Sequence, residues 1–236
     1  MTEPKDATKN PMLIKLLLTG LLIALTGPIA AEDDERAPAT PRELADSSEI
    51  IVLAQLDRTN YEMRRGFPVS GKGWARVLIR YKVPRPIDRV RIVEEGFGDD
   101  RCYFPDTPMW QELPRYLLFL NRDEDGNHIG NRAGCMFEVL VTRDNRYAVR
   151  WPQDGLALEE GDEALVQTLD FHGPGSTMDV REMTSIRREQ MREDYFLEPI
   201  EGEDGLMRYT RGIPLDDFRD LMGADNLTRE RRQGRR

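Results

Sequence analysis

Few residues in this 236-residue chain have the types and spacing that chemistry needs. The run Asp123-Glu124-Asp125-Gly126-Asn127-His128 sets hard oxygens at alternate positions beside a glycine, which is what calcium requires, with Asp123, Asp125 and Asn127 as the ligands. The run falls short of a full calcium loop, because Gly134 stands where the closing glutamate would be. A solvated hairpin turn uses the same residue types. His128 and His172 are the only histidines, too few for a zinc site without thiolates. Ser176 lacks the Gly-x-Ser-x-Gly setting of a nucleophile elbow. Gly66, Gly71 and Gly73 precede no lysine-serine pair that would cradle phosphate. The acids at Asp123–Asp125 and at Glu159, Glu160, Asp162 and Glu163 could serve a hydrolase as paired carboxylates, or could form a solvated face. No catalytic residue is assigned, and no cofactor is expected.

Aromatic and cationic residues suggest binding instead. Trp74, Trp110 and Tyr81 are the candidate interaction residues, with Arg76 or Arg80 beside them. On a small barrel such a patch can stack single-stranded nucleic acid. The formal net charge of -9 and the pI of about 5.0 oppose that reading, since a nucleic-acid binder needs a basic field. No nucleic-acid partner is therefore expected, and Trp74 and Trp110 are expected to pack in a barrel mouth.

These residues must be positioned by a fold, and the two cysteines bear on which one. Cys102 and Cys135 flank the apolar run Tyr116-Leu117-Leu118-Phe119-Leu120, which reads as a buried strand. Near the N-terminus, Leu13 to Ala31 is apolar, has Lys15 in front, breaks at Gly27-Pro28 and ends Ile29-Ala30-Ala31. That pattern fits a signal peptide over residues 1–31, with Met12 as an alternative start and an uncleaved anchor as the alternative fate. The apolar core of about ten residues is short for a bilayer span. Residues 1–31 carry three basic and two acidic side chains, so the cleaved chain would carry -10 and would not span a membrane. A periplasmic or secreted location would pair the two cysteines, contributing roughly 3–4 kcal/mol by loop closure. Free redox thiols are the alternative, but there is no Cys-x-x-Cys pair.

Glu32 to Ser48 reads as a flexible linker, rich in Asp, Glu, Ala and Pro. Strands are expected at 49–56, 75–83, 89–93, 116–120 and 135–141, with a sixth at 146–150. Residues 57–73 and 121–134 read as polar connections, and Pro108 to Leu113 as one helical turn. After residue 150 the chain becomes a charged extension to residue 223. It holds an exposed helix over Thr177–Asp194 and a better one over Pro214–Met222, whose Leu215, Phe218, Leu221 and Met222 form a face to dock on the barrel. Residues 224–236 read as a disordered basic tail. The expected fold is mainly β with helical additions: an OB-like five-stranded Greek-key barrel at 49–150 plus C-terminal helices.

Several pieces resemble the netrin-like, or tissue-inhibitor-of-metalloproteinase-like, domain of bacterial exported proteins. They are Ser48-Glu49-Ile50-Ile51-Val52-Leu53-Ala54-Gln55, Ala75-Arg76-Val77-Leu78-Ile79, Cys102 ahead of Arg115-Tyr116-Leu117-Leu118-Phe119-Leu120, and Cys135 after a polar hairpin. The resemblance covers residues 46–150 and implies an OB-type barrel. It does not carry over the animal inhibitors' zinc-chelating N-terminal cysteine, because no cysteine lies near Glu32. The expected function is an exported, non-catalytic interaction or binding module that contacts another envelope protein. An exported hydrolase and a calcium-stabilised domain are the alternatives.

Overall fold

The computed structural model describes residues 37–98, 100–105, 113–223 and 227. The expected signal peptide, Trp110 with most of the turn expected around it, and the expected basic tail apart from Leu227 fall outside these residues. The first element is a helix, α1 (Pro41–Ser47), where a flexible linker was expected. Thr40 accepts from the Glu43 backbone N–H, the Glu43 carboxylate accepts from the Thr40 N–H, and Pro41 takes the first turn. Leu44 and Ala45 are fully buried, so one apolar pair and a reciprocal cap suffice to fix this short helix.

Five strands then close a barrel: β1 (Ile50–Arg64), β2 (Phe67–Lys82), β3 (Arg89–Glu95), β4 (Arg115–Arg122) and β5 (His128–Gly130). The order is β1-β2-β3-β5-β4, and β4 pairs back onto β1. Only β3 and β5 run parallel within it. This is an OB-like Greek-key barrel. Alternate residues of each strand fill the interior, among them Val52, Leu56, Ala75, Ile92, Leu118 and Leu120.

Two sequence expectations change here. Residues 57–73 are not a loop: β1 and β2 continue as a long hairpin to Arg64 and Phe67. Short of its tip, its exposed face is polar, which hid the strand character. The fifth barrel strand is the three-residue β5, inside the stretch read as a connection, while Cys135–Val141 lies outside the barrel.

So short a strand needs help to stay in place. Its Gly130 N–H donates to Glu94 Oε1 at 2.7 Å, and Arg132 Nη1 donates to Glu94 Oε2 at 2.7 Å. The Glu94 side chain is 1% exposed, and these partners satisfy it in the interior. The Cys102–Cys135 disulfide packs on the same spot, where a Cβ on Gly130 would meet the two cysteine Cβ atoms at 2.5 and 2.8 Å. Only glycine fits there.

Beyond the barrel the sheet continues through β6 (Met136–Thr142) and β7 (Tyr147–Arg150). The C-terminal half is woven into it. It contributes β8 (Gln167–Thr168), β9 (Phe171–His172), β10 (Thr177–Asp179), α2 (Ser185–Asp194), β11 (Leu197–Pro199), β12 (Leu206–Tyr209), β13 (Arg211–Pro214) and α3 (Leu215–Leu221). Strand β13 pairs with β7 and β8, and β9 pairs with β6. Strands β10, β12 and β11 make a separate small sheet. The helix expected over Thr177–Asp194 begins only at Ser185, after the Thr184 cap, because its first residues pair with β12. Helix α3 docks by most of its stripe: Leu215, Phe218 and Met222 are buried with Ile51, Leu53 and Phe119 on the outer side of the barrel wall, while Leu221 is half-buried. Arg150 ties the two sheets together. Its Nε donates to Glu138 Oε2 at 2.6 Å, and its guanidinium lies 4.6 Å from the Tyr209 ring. Among the described residues no helix is long and apolar enough to cross a membrane.

Candidate functional site

The outward residues of β1, β2 and β3 form one continuous face. Ala75 and Val90 point into the barrel, and Gly73 is pressed against Phe104 inside it. Their neighbours Lys72, Trp74, Arg76, Arg89 and Arg91 therefore point out. Strand register sets these residues in rows. Arg58, Trp74 and Arg91 lie side by side across the three strands, and Arg76 lies opposite Arg89. The Arg58 guanidinium sits 4.5 Å from the centre of the Trp74 ring. Arg76 Nη2 donates to Gln55 Oε1 at 2.7 Å. Among the described residues, Arg58, Lys72, Arg76, Arg89 and Arg91 make no ion pair. Acids enter the face towards the hairpin tip, where Glu62 and Glu95 flank Ser70 in the register, and Asp57 sits at the β1 bulge beside Arg58.

The β4–β5 hairpin borders this face, and it explains the candidate calcium residues. Asp123 Oδ1 accepts from the Asn127 N–H at 2.7 Å, and Oδ2 accepts from Asn127 Nδ2 at 2.9 Å. These bonds from Asn127 hold the Asp123 carboxyl below the usual carboxylate range. Asn127 Oδ1 in turn accepts from Arg91 Nη2 at 3.2 Å. Asp123 and Asn127 thus lock a turn that positions a cation, and Asp125 is exposed at its tip. Among the described residues no three metal-binding side chains gather. His128, next along, is pushed below its ordinary value, first by burial and then by Arg122, Arg85 and Arg91. It titrates beside the cationic face and reports on it.

The other candidate residues do not join this site. Tyr81 is buried with Ile51, Leu215 and Phe218, seven residues further along β2. Bulges at Leu78 and Tyr81, where β2 spends an extra residue against β1, break the alternation that would have kept it in phase with Trp74. Trp74 is half-buried on the outer wall, not in a barrel mouth. Arg80 is engaged with the Ile87 carbonyl and with Asp88. Glu159, Glu160 and Glu163 are exposed, and Glu163 accepts from the Gly161 N–H within its own turn. A cleft of about 380 Å³ opens where β6 leaves β4 for β9. It brings together Arg115, Tyr116, Glu138, Tyr147 and His172. Glu138 is paired with Arg150 there.

Arg58, Lys72, Arg89 and Arg91 are the members of the face that the sequence alone did not single out. The alternation Arg89-Val90-Arg91-Ile92 was legible as a half-buried strand. Its register opposite Trp74 was not, because it depends on a pairing across a proline-rich turn. Comparison with protein-family models, characterised proteins and solved structures found nothing that matches the chain.

Proposed function

We propose that the chain is an exported, non-catalytic binding module of the cell envelope, and that the face around Trp74 holds an acidic segment of another envelope protein. One observation carries the reading: Arg76 and Arg89 stand directly opposite each other in a chain of net charge -9. Like charges opposed on adjacent strands destabilise a sheet. An anionic ligand relieves that repulsion, while Trp74 supplies apolar area and Arg58, Lys72 and Arg91 supply donors around it. The export half of the proposal is supported by the apolar stretch Leu13–Ala31 and by a cystine beneath β5, which suits an oxidising compartment. The netrin-like kinship is part of the same proposal, supported by the OB-type strand order and the cystine that staples β5.

The test is a titration of the full chain with a fluorescent oligoglutamate peptide. Binding should weaken steeply between about 0.1 and 1 M salt, where the Debye length falls from roughly 10 to 3 Å. Trp74→Ala, and separately Lys72→Glu with Arg91→Glu, should each lose about tenfold or more, equivalent to ~1.4 kcal/mol. Equal binding by these variants would contradict the site. Tighter binding of an oligothymidylate of equal charge would contradict the choice of a protein partner.

A further inference from the structure

The tip of the long β1–β2 hairpin is built unlike the rest of the surface. Met63, Phe67 and Phe97 are 56%, 57% and 70% exposed, and the two phenylalanine rings meet edge to face with centroids 5.7 Å apart. The turn between the strands is Arg64-Arg65-Gly66, with Arg65 and Gly66 both at positive φ. Arg64 and Arg65 are exposed, and neither makes an ion pair among the described residues. Glu62 points to the opposite face of β1 from Met63 and accepts from the Ser70 hydroxyl.

This tip is braced. The Gly96 N–H donates to the Val69 carbonyl at 2.8 Å, and the Tyr103 hydroxyl donates to the Gly96 carbonyl at 2.9 Å. Tyr103 packs edge to face on Tyr61 at 5.1 Å, and the Tyr61 oxygen accepts from the Phe104 N–H at 3.1 Å. Tyr61 and Tyr103 therefore tie the interior residue Phe104 to the Gly96 backbone, next to the Phe97 that meets Phe67. Apolar side chains kept rigidly in water forgo the gain of burial. Three of them are too few for a protein interface, which takes roughly 800 Å² per partner. They suit a bilayer interface, where aromatics enter the headgroup boundary and arginines meet anionic phosphates.

We infer that the β1–β2 hairpin tip docks on an anionic bilayer surface, with Met63, Phe67 and Phe97 entering the headgroup–acyl boundary and Arg64 and Arg65 pairing with lipid phosphates. At physiological salt a Debye length of about 8 Å confines the interaction to the tip's own charges, Arg64 and Arg65 with Glu62 and Glu95 behind them, so the acids of the distant C-terminal half do not oppose it.

The test uses the full chain carrying Phe67→Trp and phosphatidylcholine vesicles with or without phosphatidylglycerol, brominated on the acyl chains. The extra emission over the unsubstituted chain reads the tip alone, whatever residues 1–31 do at a membrane. On phosphatidylglycerol vesicles it should shift to the blue and be quenched. Adding Arg64→Gln and Arg65→Gln should weaken partitioning roughly tenfold or more, the worth of two arginines at an anionic surface. Unquenched emission would overturn the inference, and so would equal quenching on phosphatidylcholine alone. A vesicle-free dimer abolished by Phe67→Ala with Phe97→Ala would overturn it in favour of a second copy of the chain.

Discussion

Arg76 and Arg89 face each other across β2 and β3 and neither makes an ion pair among the described residues, so each should be worth more to binding than to folding. Replacing either by glutamine should raise stability by about 0.2–1 kcal/mol, read from denaturant midpoints, while weakening the oligoglutamate complex. A loss of stability on substitution would mean that the pair is held by something other than a ligand. His128 gives a second readout at this scale. Burial and three arginines hold its folded value below the ordinary 6.5. The unfolded chain therefore binds the extra proton first as pH falls, so this histidine costs stability below about pH 6.5 and is neutral to stability above it. His128→Gln should be less sensitive to acid than the native chain over that range. An anionic ligand on Arg91 should move the His128 midpoint upward, followed by the imidazole resonances in a pH titration; an unmoved midpoint would place the ligand elsewhere.

At the scale of elements, the weakest link is β5, three residues that complete a barrel. Gly130→Ala should cost about 1–3 kcal/mol by overpacking against the cystine. Replacing Cys102 and Cys135 together by alanine should cost roughly 3–4 kcal/mol, from the loop-closure entropy of the 33-residue separation. Thermal or denaturant melts of the two variants check both values. This element also marks where sequence reading ended. Strand β4 was legible because five apolar residues in a row leave little choice, and α3 because Leu215, Phe218 and Met222 recur at helical spacing. Strand β5 was not, because His-Ile-Gly has no periodicity and is held by Glu94, thirty-six residues away. Helix α1 could have been found: Thr40-Pro41-Arg42-Glu43 is a capping box, outweighed in the reading by the acidic, proline-rich stretch before it. The hairpin beyond Asp57 was masked by its polar outer residues, which belong to the face proposed to bind.

At the scale of the whole molecule, charge is segregated. A chain of net charge -9 gathers Arg58, Lys72, Arg76, Arg89 and Arg91 on one barrel wall. Exposed acids such as Glu159, Glu160, Glu189 and Glu203 lie in the C-terminal half. Such a separation would steer the proposed acidic partner to one wall and away from the acidic half. Net charge alone hid this, because summing over the sequence averages away a field that strand register creates. The barrel class and the cystine were legible from strand-like runs and two cysteines, whereas the fifth strand and the site required knowing which residues pair and share a face. The most direct measurement is amide chemical-shift mapping of the full chain titrated with the oligoglutamate peptide. The expected shifts fall at residues 58–60, 72–76, 89–93 and 127–128, and saturate together. Shifts confined to the cleft beside β6, or scattered without saturation, would contradict a binding face built on Trp74.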